Sequence, residues 1–339
     1  MVNIYLSSHS SIIHVSGEKD EWTINDLDLE KGEIQSLAVD PFSGVIYAGT
    51  FDHGLYRSEN GGESFERIGE DILHDRVTSL HVAPLKDGGT YGTLYVGMEP
   101  SELFQSADGG ETWKQLPALT ELPSKKEWSF PPRPETHHVK DITTSYQDHG
   151  LLLAGIELGG VMRSLGNGET FEDRKEGSQF DVHNIVTHPI EEQYIYEAGG
   201  GGFAYSEDMG EGWKTDNTGL GAFTYLVQTA VDPADSKAVI VAGAKGPGSA
   251  YVPDTAEYRL FRKRGNEAFE QVEEGLPEAE GTTVPHLLTH TGEPGVFYAV
   301  FNRGIYRSQD QGKTWQVLPL EWPPFLQKQP IVAACLKEI

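Results

Sequence analysis

Seven aromatic residues recur along the chain at similar distances, and they constrain the fold more than any other feature. They are Trp22, Phe65, Trp113, Phe171, Trp213, Phe269 and Trp315, separated by 43, 48, 58, 42, 56 and 46 residues. Each follows a short polar turn. The clearest turns are Ser106-Ala107-Asp108-Gly109-Gly110-Glu111-Thr112-Trp113 and Ser308-Gln309-Asp310-Gln311-Gly312-Lys313-Thr314-Trp315. Both read Ser-x-Asp-x-Gly-x-Thr-Trp. Self-similarity at roughly 40–50 residues marks a repeat architecture, and four short strands per repeat make a propeller blade.

The strands follow from residue type. In the unit from Ile34, apolar runs at 34–39, 45–49, 54–58 and 64–68 are broken by Asp40-Pro41 and by Gly- and Asn-containing turns. β-branched and aromatic residues between such breakers read as strands. The same four steps recur from about 77, 139, 182, 226 and 284. The ends supply a seventh unit, with three strands in 1–30 and the missing first strand in 331–337. The expected fold is all-β: a single seven-bladed β-propeller over 1–339, four antiparallel strands per blade, closed by the C-terminal strand. Closure removes free sheet edges, which invite aggregation. Two insertions, 118–136 and 244–258, interrupt the pattern.

Composition narrows the partners. Acidic residues number 52 against 26 basic ones, a net charge of −26. Such a chain repels polyanions, so neither nucleic acid nor an anionic membrane surface is expected as a partner. The one cysteine, Cys335, sits in an apolar run on the closing strand and reads as a core residue. No basic segment followed by an apolar core opens the chain, and no apolar run approaches the ~18 residues of a membrane helix. A cytoplasmic location is expected.

The turn itself has a structural chemistry. Gly tolerates positive φ, Asp accepts from loose backbone N–H groups, and Trp covers the neighbouring blade. These residues resemble the Asp-box, or bacterial neuraminidase repeat. That repeat occurs in sialidases, tandem-propeller xyloglucanases, sortilin-type receptors and, degenerately, a photosystem II assembly-factor propeller. The copies here vary: Asn60, Asp108, Asp208 and Asp310 hold the Asp position, but Gly166 and Arg264 replace it in two others. A turn that tolerates such loss is structural. The resemblance implies a glycosyl-hydrolase-like enzyme or a non-catalytic scaffold for a protein or ligand. Sialidase chemistry is not expected, because the Arg-Ile-Pro motif is missing and an anionic sugar would meet an acidic surface. A single propeller also lacks the two-propeller cleft of the xyloglucanases.

Topology then says where to look. Asp-boxes join third to fourth strands and share one face of the ring. The starts of first strands and the loops from second to third strands share the other, as do both insertions. Insertions on one face often mark the working face. Polar residues gather there: Glu33, Asp75 with Arg76, His137 with His138, Asp181 with His183, Tyr225 and His286, joined by Asp52 and His53, Glu99, Glu157, and Asn302 with Arg303. The candidate catalytic set is His137, His138, Glu157, Asp181 and His183. Adjacent strand residues point to opposite sides, so one of His137 and His138 at most is expected in a common site unless the loop is irregular. Expected substrate contacts are Trp128, Arg133, Glu135, His53, Glu99, Tyr225, His286 and Arg303. Imidazole and carboxylate groups can work as general acid and base, or hold a divalent metal such as zinc, with His137, His138 and His183 as ligands. No short metal motif decides between them. A hydrolase or lyase acting on a small polar molecule or glycan is one expectation, a propeller that holds a protein partner the other.

Overall fold

The computed structural model describes residues 1–339 apart from 10, 20, 28, 30, 31, 85–88, 149, 338 and 339. Residues 10, 20, 28 and 30 of the expected split blade thus lie outside the description. Seven antiparallel sheets follow one another in chain order. Their first strands touch in a closed cycle, beginning with Ile34–Val39 and returning through Ala333–Leu336. The closing strand pairs with Val2–Ser7, with Cys335 opposite Tyr5. Cys335 is half-buried, and burial pushes its thiol up to about 12.

The core lies between blades rather than at one centre. Seven apolar clusters each join residues of two successive sheets. Second strands such as Ile46–Thr50, Leu94–Met98 and Leu152–Ile156 are buried at every position. A strand covered on both faces has no need of alternation, so these runs are continuously apolar.

Six sheets have four strands. The exception is Val139–Thr144, Leu152–Ile156 and Gly160–Ser164, whose fourth strand is reduced to one bridge between Arg163 and Glu172. This departs from the four-strand expectation for a local reason. Its turn has Gly166, without a side chain, where four other copies carry Asp or Asn and a fifth carries Arg264, so no polar side chain at that position fastens the outgoing chain. That chain is held by the 118–136 insertion instead: Asp173 accepts from Ser124 N at 3.0 Å, and Arg174 pairs with Glu127.

The first strands share a second irregularity. Register shifts fall between Ile34 and Ser36, Val77 and Ser79, Val139 and Asp141, Val182 and Asn184, and Leu226 and Gln228. A bulge inserts one residue and re-aims its side chain. Here the inserted positions include Lys140 and His183, at the face opposite the Asp-boxes. Space for the next blade comes from second-strand glycine: a Cβ on Gly97 would lie 2.7 Å from Val139, and one on Gly155 2.7 Å from Val182.

Neighbouring first strands share no backbone ladder, so side chains take up their free backbone groups. Thr78 Oγ1 donates to Val139 O at 2.7 Å, Thr187 Oγ1 to Thr144 O at 2.8 Å, and Ile185 N to Asp141 at 2.6 Å. His286 Nε2 is 3.0 Å from Ile331 O. Among the described residues, no helix is long and apolar enough to cross a membrane.

Candidate functional site

The site is built outward from Glu157, in the turn between the strands Leu152–Ile156 and Gly160–Ser164. His138 Nε2 donates to Glu157 Oε2 at 3.0 Å, and Lys140 Nζ is 3.4 Å from the same oxygen. Burial alone would lift this carboxyl. Lys140, the His138 hydrogen bond and the nearby His183 outweigh it and hold Glu157 far below the usual carboxylate range. In return Glu157 raises Lys140 against the opposing effect of burial. Glu157 is therefore an ionised carboxylate in a largely enclosed position.

His183 and Asp181 approach Glu157 from the next blade. One ligand-capable atom from each of the three lies within 4.8 Å of the others. His183 is 4% exposed. Its Nδ1 is 2.5 Å from the carbonyl of Leu226, which can only accept, so Nδ1 carries the proton. The other ring nitrogen is Nε2. It has no hydrogen-bond partner and lies 3.6 Å from Asp181 Oδ1. The Tyr225 ring stands 4.7 Å from the imidazole and fixes it from one side. Tyr251, from the short helix Pro247–Tyr251 in the second insertion, reaches Tyr225. Burial, followed by the neighbouring hydroxyl, raises the Tyr225 phenol, which stays protonated.

A second layer backs His138. Glu99 has no exposed side-chain surface and is gripped by Arg133 at 2.7 and 2.5 Å and by Arg76 at 2.9 Å. Burial raises Glu99, but Arg133 foremost reverses this and keeps it ionised. Its Oε2 lies 3.8 Å from His138 Nδ1. Both guanidinium groups stand over Phe51, and Arg133 also over Phe130, whose ring meets His138 edge-on.

The other expected residues go elsewhere. His137 faces away from the cluster: its Nδ1 accepts from Ser101 N at 3.3 Å and its ring packs on Trp128. Neither it nor His138 belongs to the group of converging donor atoms, which among the described residues is Glu157, Asp181 and His183. Trp128 is a core residue, 6% exposed and bonded to Ser124 Oγ, so it offers no substrate surface. His286 donates to a backbone carbonyl, and burial lowers it to about 4. Arg303 is exposed and bonded to Glu280 O, while Glu135 and His53 are exposed at the rim. The sequence reading missed Lys140 and Tyr251. Lys140 could have been found from its position two residues beyond His138 on a first strand. Two crevices elsewhere, lined by Tyr194 and Phe203 and by Tyr258 and Leu276, contain no member of the cluster.

Comparisons with known proteins agree with this architecture. The BNR/Asp-box repeat profile matches residues 306–317. No curated protein sequence matches the chain. An ancestral GH74 enzyme superposes with a TM-score of 0.64 at 17% identity, over 84% of this chain and 38% of that one. The GH74 enzyme of Niastella koreensis gives 0.60 at 15% identity, over 92% and 53%. The chain thus spans about two fifths to half the length of these enzymes. YCF48 bound to D1 peptide gives 0.56 at 14% identity, over 97% and 87%. At such identities the likeness concerns the fold. The chain is a seven-bladed β-propeller built on Asp-box hairpins.

Proposed function

We propose that the chain is an enzyme, a hydrolase or lyase for a small polar molecule or glycan, working at the channel mouth opposite the Asp-boxes. One observation carries the reading: an ionised, enclosed Glu157 lies beside Asp181 and the unpartnered Nε2 of His183. A water or substrate hydroxyl held among the three can pass its proton to the Asp181 carboxylate, acting as general base. His138 and Lys140 keep Glu157 charged, and the Tyr225 and Tyr251 hydroxyls offer donors to the substrate. The GH74 enzymes are consistent with catalysis on such a propeller.

The test is a screen of purified protein against p-nitrophenyl glycosides and esters, repeated with Asp181→Asn. Asp181 is part-exposed and its loss should spare the fold. Turnover should fall by about 10²–10⁴-fold with the melting temperature held. Turnover that survives Asp181→Asn, or none by the wild type on any probe, contradicts the proposal. The second reading is a protein- or peptide-binding scaffold. It is favoured by the peptide-bound YCF48 propeller, which this chain matches over most of both lengths. Tight peptide binding at this face without turnover would select it.

A further inference from the structure

We infer that Glu157, Asp181 and His183 form a binding site for one divalent transition-metal ion, zinc or manganese. The inference rests on the catalytic reading above and names the agent that would activate the water there.

Two carboxylates and an imidazole present donor atoms within 4.8 Å of one another. Carboxylates alone would be an ordinary acidic cluster. The imidazole makes the difference. His183 is 4% exposed, and its Nε2 has no hydrogen-bond partner. A buried polar atom without a partner is costly and calls for an explanation. Its other nitrogen is committed to Leu226 O at 2.5 Å, which fixes the tautomer that leaves Nε2 free. Metal-ligating histidines carry this same outer hydrogen bond, and it sets both tautomer and ring direction. Tyr225, 4.7 Å away, prevents the ring from turning aside.

Glu157 is prepared in a matching way. His138 and Lys140 both hold Oε2, which leaves Oε1 for an ion. Carboxylates are themselves usually hydrogen-bonded from behind when they bind metal. Lys140 and His183 both sit at strand bulges, so both are aimed by the same irregularity. One nitrogen and two oxygens suit zinc or manganese, whereas calcium and magnesium favour oxygen alone. Three protein donors leave a coordination position open, as in catalytic rather than structural sites. Water in that position becomes a nucleophile near neutral pH.

Titration calorimetry on chelator-treated, full-length protein tests this with ZnCl₂ and MnCl₂. One equivalent of at least one ion should bind saturably. Asp181→Asn and Glu157→Gln should each weaken it by roughly tenfold or more. Asp208→Asn, on the Asp-box face, should bind as the wild type does. Circular dichroism melts confirm that each variant is folded; Asp181→Asn carries the test if Glu157→Gln is not. No saturable binding by folded wild type overturns the inference, as does undiminished binding by Asp181→Asn. If the ion fails to bind while Asp181→Asn still abolishes turnover, the metal falls and the acid–base reading stands. If the ion binds and no substrate turns over, the site stands and the enzyme falls.

Discussion

At the scale of single residues, the site is held by charges that cannot be removed one at a time. Glu157 has 15% of its side chain exposed and Lys140 34%. Removing one partner of such a pair leaves the other uncompensated, at a cost reduced by the solvent that reaches Lys140. Glu157→Gln should lower stability by about 1–2 kcal/mol, and adding Lys140→Met should recover part of the loss. Urea unfolding of both single variants and the double variant measures the coupling. Strictly additive losses would mean that the two side chains do not interact. A different burial sets Glu197. It is fully buried, accepts a hydrogen bond from Gln179 N, and forms no ion pair among the described residues. Burial raises its carboxyl well above 4.5, so the native acid is protonated while the unfolded one ionises. That contribution to stability is complete below 4.5 and is lost as pH rises toward the native value. Glu197→Gln should therefore melt progressively higher than the wild type as pH is raised from 4.5 to 8. Parallel melting curves across that range would contradict the assignment. Glu197 supports the chain leading to Asp181, so this protonated acid is a prop for the site.

At the scale of elements, the Asp-box explains why some parts of the chain were readable and others were not. In the best copy, Ser308 Oγ donates to Asp310, Gly312 N donates to Ser308 Oγ, and Thr314 donates from N and Oγ1 to the two Asp310 oxygens at 3.0 and 2.8 Å. Gln311 and Gly312 both have positive φ, so the turn needs the short-range pattern that repeats in sequence. A local device of this kind can be read from residues alone, and with it the blade count and the face. The bulges cannot. Their inserted residues have no common type (Gln35, Thr78, Lys140, His183, Val227), because a bulge is a mismatch between two strands. Lys140, two residues beyond His138, was within reach of the period-two rule, but its meeting with His138 at Glu157 depends on the bulge and on the turn after Leu152–Ile156, which no residue pattern announces. Trp128 was misjudged for a related reason: an insertion that packs back on the blade is indistinguishable in sequence from one that covers a ligand. The defective box offers a direct check. Gly166 does not have positive φ, and a Cβ there would meet nothing within 4 Å. Thr170 already stands where the two clearest boxes hold Thr112 and Thr314. Gly166→Asp should supply the missing acceptor and stabilise the protein by about 0.5–1.5 kcal/mol. A lower melting temperature would show that the turn there has another geometry.

At the scale of the whole molecule, closure separates two tasks. The ring is held by seven interblade clusters and by boxes on one face. The opposite face carries the groups that are expensive to bury: ionised Glu157 and Glu99, and His183 with its free nitrogen. Repeats that have diverged in their boxes still keep the ring, because each blade needs only its two neighbours. The central claim is that activity belongs to the face opposite the boxes. Its most direct test compares turnover by Asp181→Asn and Asp208→Asn on the best chromogenic substrate of the wild type. Both replace a partly solvated aspartate by its neutral amide, one on each face. The account predicts a loss of about 10²-fold or more for Asp181→Asn and near wild-type turnover for Asp208→Asn. Equal activity in the two variants, or a selective loss in Asp208→Asn, would contradict it.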